Sequence, residues 1–117
     1  MKQKSNRNGF TVCARAYLRK LQEEGRYSTA HVYKNAVLSF TKFCNTPGIS
    51  FAQITRDSLR RYGQHLQEYG LRPNTVSTYM RMLRSIYNRG VEAGIARFIP
   101  HLFRDVYTGV DVRQKKA

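Results

Sequence analysis

The chain has 117 residues, 41% of them hydrophobic, and its 21 Lys and Arg oppose seven Asp and Glu for a net charge of +14. This length corresponds to one domain, and the apolar content is sufficient for a core and too high for a disordered polycation. Such an excess of charge destabilises a compact chain by self-repulsion, so it favours an anionic partner. Nucleic acid is the leading candidate, ahead of an anionic membrane surface.

Two sequence features bear on the compartment. No run approaches the roughly 18 apolar residues of a membrane-spanning helix, and the polar, basic stretch Met1–Gly9 lacks the apolar centre of a secretory signal. We therefore expect an intracellular protein whose residues 1–9 are disordered. Cys13 and Cys44 are interpreted as reduced core thiols, because the sequence has no C-x-x-C motif and no paired histidines.

Apolar residues at helical spacing predict two helices in the first half of the chain. The first runs from about Thr11 to Glu24, and Gly25 is a plausible stop. The second runs from about Ser28 to Cys44, with Ser28 as its N-cap and Leu38 exposed among polar residues. The Thr46-Pro47-Gly48 turn signal then ends this part of the chain.

A third helix is predicted from about Arg56 to Tyr69, capped by Thr55 and ended by Gly70. Ile54 can pack on Leu59 as a hydrophobic staple, and Tyr69 is expected on the apolar stripe. The segment Phe51–Ile54 just before this helix is compatible with a short strand, but no other segment offers that strand a partner.

The fourth predicted helix, from about Pro73 to Ala93, has the most informative pattern. Pro73 suits the first helical position, and Gly94 followed by Ile95 is typical of a Schellman stop. Its apolar residues fall within an arc of roughly 120° at about 100° per residue. Over Asn74–Asn88 the opposite side carries arginines and short polar side chains without an acid, whereas a solvated face usually mixes Glu with Lys.

Catalytic motifs are missing. The acids are scattered, the three histidines are far apart, and no phosphate-binding glycine loop or nucleophile motif occurs. We therefore expect no enzymatic activity, no metal and no cofactor. His101 and Arg104 form an H-x-x-R pattern with Tyr107 nearby, and we interpret this segment as a post-helix stretch that packs through its Phe and Leu.

Nucleic-acid binding is the remaining interpretation, because the second and fourth helices both have polar faces without acids. Lys and Arg contact phosphates, Arg also reads guanine edges, and Asn and Ser serve either role. The third helix mixes Arg with acids and is expected to face solvent. The candidate DNA-binding residues are His31, Lys34, Asn35, Lys42, Asn74, Ser77, Arg81, Arg84, Ser85 and Asn88.

Four segments in order carry a family resemblance: Phe10–Leu21, Ser28–Phe43, Ile54–Leu66 and Asn74–Asn88. Together they resemble the N-terminal core-binding domain of tyrosine recombinases, also called the phage-integrase SAM-like domain. The chain is most similar to integrases of Bacteroides-type mobile elements, and the resemblance spans about residues 10–105.

The resemblance implies an all-α fold, a compact four-helix bundle that forms half of a C-shaped clamp on double-stranded DNA. In this family the second and fourth helices approach the major groove at the core site. The family's catalytic residues belong to a following domain, and no residue of this chain corresponds to them. Residues 106–117 would be a tail or linker toward that domain. The resemblance further implies a bacterial, cytoplasmic protein that meets other recombinase protomers on DNA through its full-length form, with this fragment monomeric alone.

Two other functions stay open on sequence grounds. A free-standing helical DNA-binding regulator would bind tightly and sequence-specifically by itself. A helical protein-interaction module would show a contiguous exposed apolar patch and no affinity for DNA.

Overall fold

The computed structural model describes residues 9–46 and 48–103, which form four α-helices and one 3₁₀ turn. The bounds are α1 Phe10–Glu23, α2 Tyr27–Cys44, the 3₁₀ turn Phe51–Gln53, α3 Arg56–Glu68 and α4 Pro73–Glu92. The described residues contain no strand, so the all-α prediction is confirmed. The expectations for residues 1–8, Pro47, and residues 104–117 concern parts of the chain outside the described residues.

The segment after α2 shows why a strand at Phe51–Ile54 is the wrong interpretation. Ser50 and Gln53 bracket the 3₁₀ turn, and the Gln53 side chain accepts a hydrogen bond from the Ser50 backbone N–H at 2.9 Å. The Phe51 and Ile54 side chains are buried, so their apolar character reflects packing of a turn rather than pairing of a strand.

Helices α2 and α4 are the central pair of the bundle, and each packs against the other three helices. The core consists mainly of the apolar side chains that the helical spacing predicts. Within it the Phe40 ring makes edge-to-face contacts with the rings of Phe10 and Tyr62. Within the described ranges no helix is both long and apolar enough to cross a membrane.

The helix ends largely follow the sequence. Gly94 adopts a φ of +80°, and the N–H groups of Gly94 and Ile95 donate to the carbonyls of Val91 and Gly90, each at 3.0 Å. This is the predicted Schellman stop. At the start of α3, Thr55 Oγ1 accepts a bond from the Ser58 backbone N–H at 3.0 Å, so the predicted cap is confirmed.

Two local predictions are wrong. Helix α2 begins at Tyr27, with Arg26 rather than Ser28 in the cap position, because the turn that ends α1 leads directly into the new helix. Tyr69 is 75% exposed rather than on the apolar stripe, because α3 ends at Glu68 and the Tyr69 ring lies against His65, 4.8 Å between centroids.

Candidate nucleic-acid interface

One face of α4 forms a shallow basic depression of about 340 Å³. Its lining includes most of the polar row that the sequence predicts, together with one further arginine and one acid at its C-terminal end. Three arginines, an asparagine and a serine therefore border the same open space, which suits an anion with many acceptor oxygens. Glu92 borders it too, so the polar face of α4 is free of acids only as far as Asn88. We call this surface the α4 depression; its lining residues are Arg81, Arg84, Ser85, Asn88, Arg89 and Glu92.

The predicted α4 residues differ in their surroundings. Asn74, Arg81, Arg84 and Asn88 are exposed, as expected, although Asn74 does not line the depression. Ser77 is only 7% exposed, so its placement on the outer face is wrong. Because α4 packs against three helices, its buried arc is wider than its apolar stripe and includes this small hydroxyl residue. A buried side chain does not suit a DNA contact.

Ser85 connects the two helices to which the sequence assigns DNA binding. It is half-buried, and its Oγ accepts a hydrogen bond from the Tyr33 hydroxyl of α2 at 2.9 Å. Burial raises the pKa of Tyr33 above its ordinary value, and the nearby charge of Arg89 opposes that rise. This hydrogen bond joins α2 to Ser85 at the lining of the depression.

The candidate residues of α2 are accessible but separate from the depression. His31, Lys34 and Lys42 are exposed and Asn35 is partly exposed, and none of the four lines the α4 depression. Their presence on one continuous surface with the α4 residues stays a prediction. The polar face of α2 has no acid to neutralise it, because the whole helix contains neither Asp nor Glu.

The arginines of α3 have a different electrostatic environment. Asp57 forms ion pairs with Arg60 at 3.4 Å and with Arg61 at 3.1 Å. A carboxylate shared by two guanidinium groups lowers the local positive potential, although such exposed pairs contribute little to stability. This agrees with the expectation that α3 faces solvent rather than the polyanion.

The sequence prediction missed two lining residues of the depression, Arg89 and Glu92. Of the two, Arg89 adds a cation. Its guanidinium carbon lies 3.8 Å from the centroid of the Tyr17 ring of α1. In helical projection it falls on the polar side, roughly 60° from the edge of the apolar arc at about 100° per residue. The available signal was its spacing, since Arg89 follows Ser85 by one helical turn and so lies on the same side of α4.

The thiols and the scattered acids form no reactive site in the described parts of the chain. Cys13 and Cys44 are free and partly buried, and burial raises the pKa of each thiol. Cys13 also donates a weak hydrogen bond to the Ile86 carbonyl, 3.8 Å away. No group of three or more His, Cys, Asp or Glu among the described residues could hold a metal ion.

The fold and this basic surface define an all-α domain suited to a polyanionic ligand. The family model of the phage integrase SAM-like domain matches residues 9–103, so the chain belongs to this family. The SAM-like domain is the non-catalytic N-terminal region of integrases. No curated protein and no solved structure matches the chain. A Bacteroides-type mobile element as its source stays a prediction.

Proposed function

We propose that the chain is the core-site DNA-binding module of a tyrosine recombinase and that the α4 depression contacts the duplex. One observation carries the proposal: Arg81, Arg84 and Arg89 line a single open depression on one helix. Family membership supports the same conclusion, because the SAM-like domain belongs to proteins of DNA integration.

The dimensions of α4 suit the proposed groove. An α-helix with its side chains is about 10–12 Å across, and the major groove of B-DNA is about 12 Å wide. Arg81 and Arg84 are exposed on the outer side of α4, where each can contact a phosphate or pair with the O6 and N7 atoms of guanine. Asn88 can pair with adenine or with a phosphate oxygen.

Helix α2 supplies the second half of the proposed surface. Lys34 and Lys42 would act as point charges on phosphates, and His31 and Asn35 would add hydrogen bonds. We further propose that a catalytic domain follows the segment 106–117 in the full-length recombinase. The module would then hold double-stranded DNA in place while the catalytic domain and other protomers act on it.

Alanine variants of the two outer arginines test the proposal. Arg81→Ala or Arg84→Ala should weaken binding of a fluorescent duplex. If the arginine reads a base, the loss should be about 1–3 kcal/mol and depend on the duplex sequence; if it contacts a phosphate, binding of all sequences should weaken evenly. The matched control is Arg61→Ala, also an exposed arginine, which lies on α3 and pairs with Asp57. Far-UV circular dichroism should show unchanged helix content in all three variants.

The outcomes separate the proposal from its rivals. Equal binding by wild type, Arg81→Ala and Arg84→Ala would place the DNA-binding surface elsewhere. Tight binding to one sequence in the presence of excess competitor DNA would favour a free-standing regulator. No affinity for any duplex at low salt would favour a protein-interaction module.

A further inference from the structure

The Arg89 side chain is held by parts of three helices. Its guanidinium lies over the face of Tyr17 of α1, 3.8 Å from the ring centroid. The Tyr17 ring in turn meets the Tyr33 ring of α2 edge-on, with centroids 5.0 Å apart and planes at 87°. Tyr33 then bonds to Ser85, one turn before Arg89 on α4. The contacts form a closed loop through α1, α2 and α4.

This arrangement leaves the guanidinium chemically available. An aromatic face attracts a cation but takes up none of its N–H groups by conventional hydrogen bonding, so the five donors of Arg89 keep their capacity for an anion. The side chain also lines the α4 depression beside Asn88 and Ser85.

We propose that Arg89 is a further phosphate ligand of the α4 depression and that Tyr17 is its positioning residue. This inference rests on the proposed DNA-binding function. A long side chain loses rotamer freedom when it binds, and a ring that fixes the side chain beforehand removes part of that loss. For one such side chain the advantage is about two- to tenfold in affinity.

The test uses the 117-residue chain and a fluorescent mixed-sequence duplex, titrated over a range of salt concentrations. Arg89→Gln should make the negative slope of log K against log salt less steep by about 0.9, the value for one phosphate contact. Arg89→Lys keeps a charge and should recover most of that slope. The matched control is Arg61→Gln on α3, which should leave the slope unchanged.

Variants of Tyr17 separate positioning from folding. Tyr17→Leu should weaken binding about two- to tenfold in the wild-type background and have no effect on binding in the Arg89→Gln background. Tyr17→Phe and Tyr17→Trp retain an aromatic face and should bind as wild type. Should Tyr17→Leu lose its helical signal, both Arg89 variants still test the phosphate contact. Weaker binding by a folded Tyr17→Phe or Tyr17→Trp would then contradict a role of Tyr17 through its aromatic face.

The possible results are distinct. If Arg81→Ala weakens binding while Arg89→Gln leaves the salt slope unchanged, the DNA-binding proposal holds and Arg89 is only a structural contact between helices. If Arg89→Gln lowers the slope but Tyr17→Leu weakens binding equally in both backgrounds, Tyr17 does not act through Arg89. If no variant of α4 alters binding, the proposed function and this inference both fail.

Discussion

Gly90 of α4 lies against the Phe51 ring of the 3₁₀ turn, so Gly90→Ala should destabilise the fold. A Cβ at this position would lie 2.4 Å from Cζ and 2.7 Å from Cε1 of Phe51. The Phe51 ring has little room to retreat, since it is 7% exposed and packs edge-on against Phe10 and Tyr87 at 5.7 and 5.4 Å between centroids. Overpacking of this kind costs about 1–3 kcal/mol or more.

Helix propensity opposes that cost, because Ala is favoured over Gly inside a helix by about 1 kcal/mol. If the clash costs about 2–3 kcal/mol, the upper part of that range, the propensity gain of about 1 kcal/mol leaves a net loss in the free energy of unfolding of about 1–2 kcal/mol for Gly90→Ala. Gly63→Ala is the matched control: Gly63 is also buried within a helix, but its Cβ would meet only the flexible end of Met80, at 3.3 Å. That variant should be neutral or more stable by up to about 1 kcal/mol.

Urea unfolding followed by far-UV circular dichroism measures both variants, which suits a chain without tryptophan. For a domain of this size, 1 kcal/mol corresponds to about 4–8 °C in Tm. If Gly90→Ala proves as stable as Gly63→Ala, the Phe51 ring has room that the structure does not show, and the packing argument fails.

Two further predictions concern stability. Burial raises the pKa of Tyr62 well above its ordinary value of 10.0, so the unfolded chain loses this proton first and stability should fall as the pH rises above about 10. In Tyr62→Phe the urea midpoint should therefore fall less steeply with pH in this range. A pH profile unchanged from wild type would contradict the assignment to Tyr62. Thr55→Ala removes the cap of α3 and should lower the free energy of unfolding by about 1 kcal/mol. The control is Thr41→Ala, which should lower it less, because the Thr41 hydroxyl only donates back to the Leu38 carbonyl of its own helix. Equal losses in the two variants would argue against the cap.

The helices could be predicted from sequence because their signals are local. The cap at Thr55, the stop at Gly94 and the apolar spacing of α4 depend on residues within one or two turns of each other. Ser28 failed as a cap because the turn at Gly25 already fixes where α2 begins. The residue pattern of one helix alone does not show where the preceding turn makes that helix begin.

The candidate site was only partly predictable because its geometry depends on three helices. Arg81, Arg84 and Asn88 point outward as the spacing of α4 alone requires. The burial of Ser77 follows from how many neighbours α4 has, and the role of Ser85 from a bond to Tyr33, 52 residues away in sequence. Arg89 was missed although its spacing from Ser85 places it on the same side of α4. Only its contact with Tyr17 depends on another helix.

Salt dependence of duplex binding is the most direct test of the central claim that this chain is a DNA-binding module. With about six phosphate contacts, the affinity should fall on the order of a thousandfold between about 50 and 200 mM salt. Anisotropy of a fluorescent duplex titrated with the wild-type chain measures this fall. A linear decrease of log K with log salt of that steepness is the predicted result, and an affinity that does not change with salt would contradict the account.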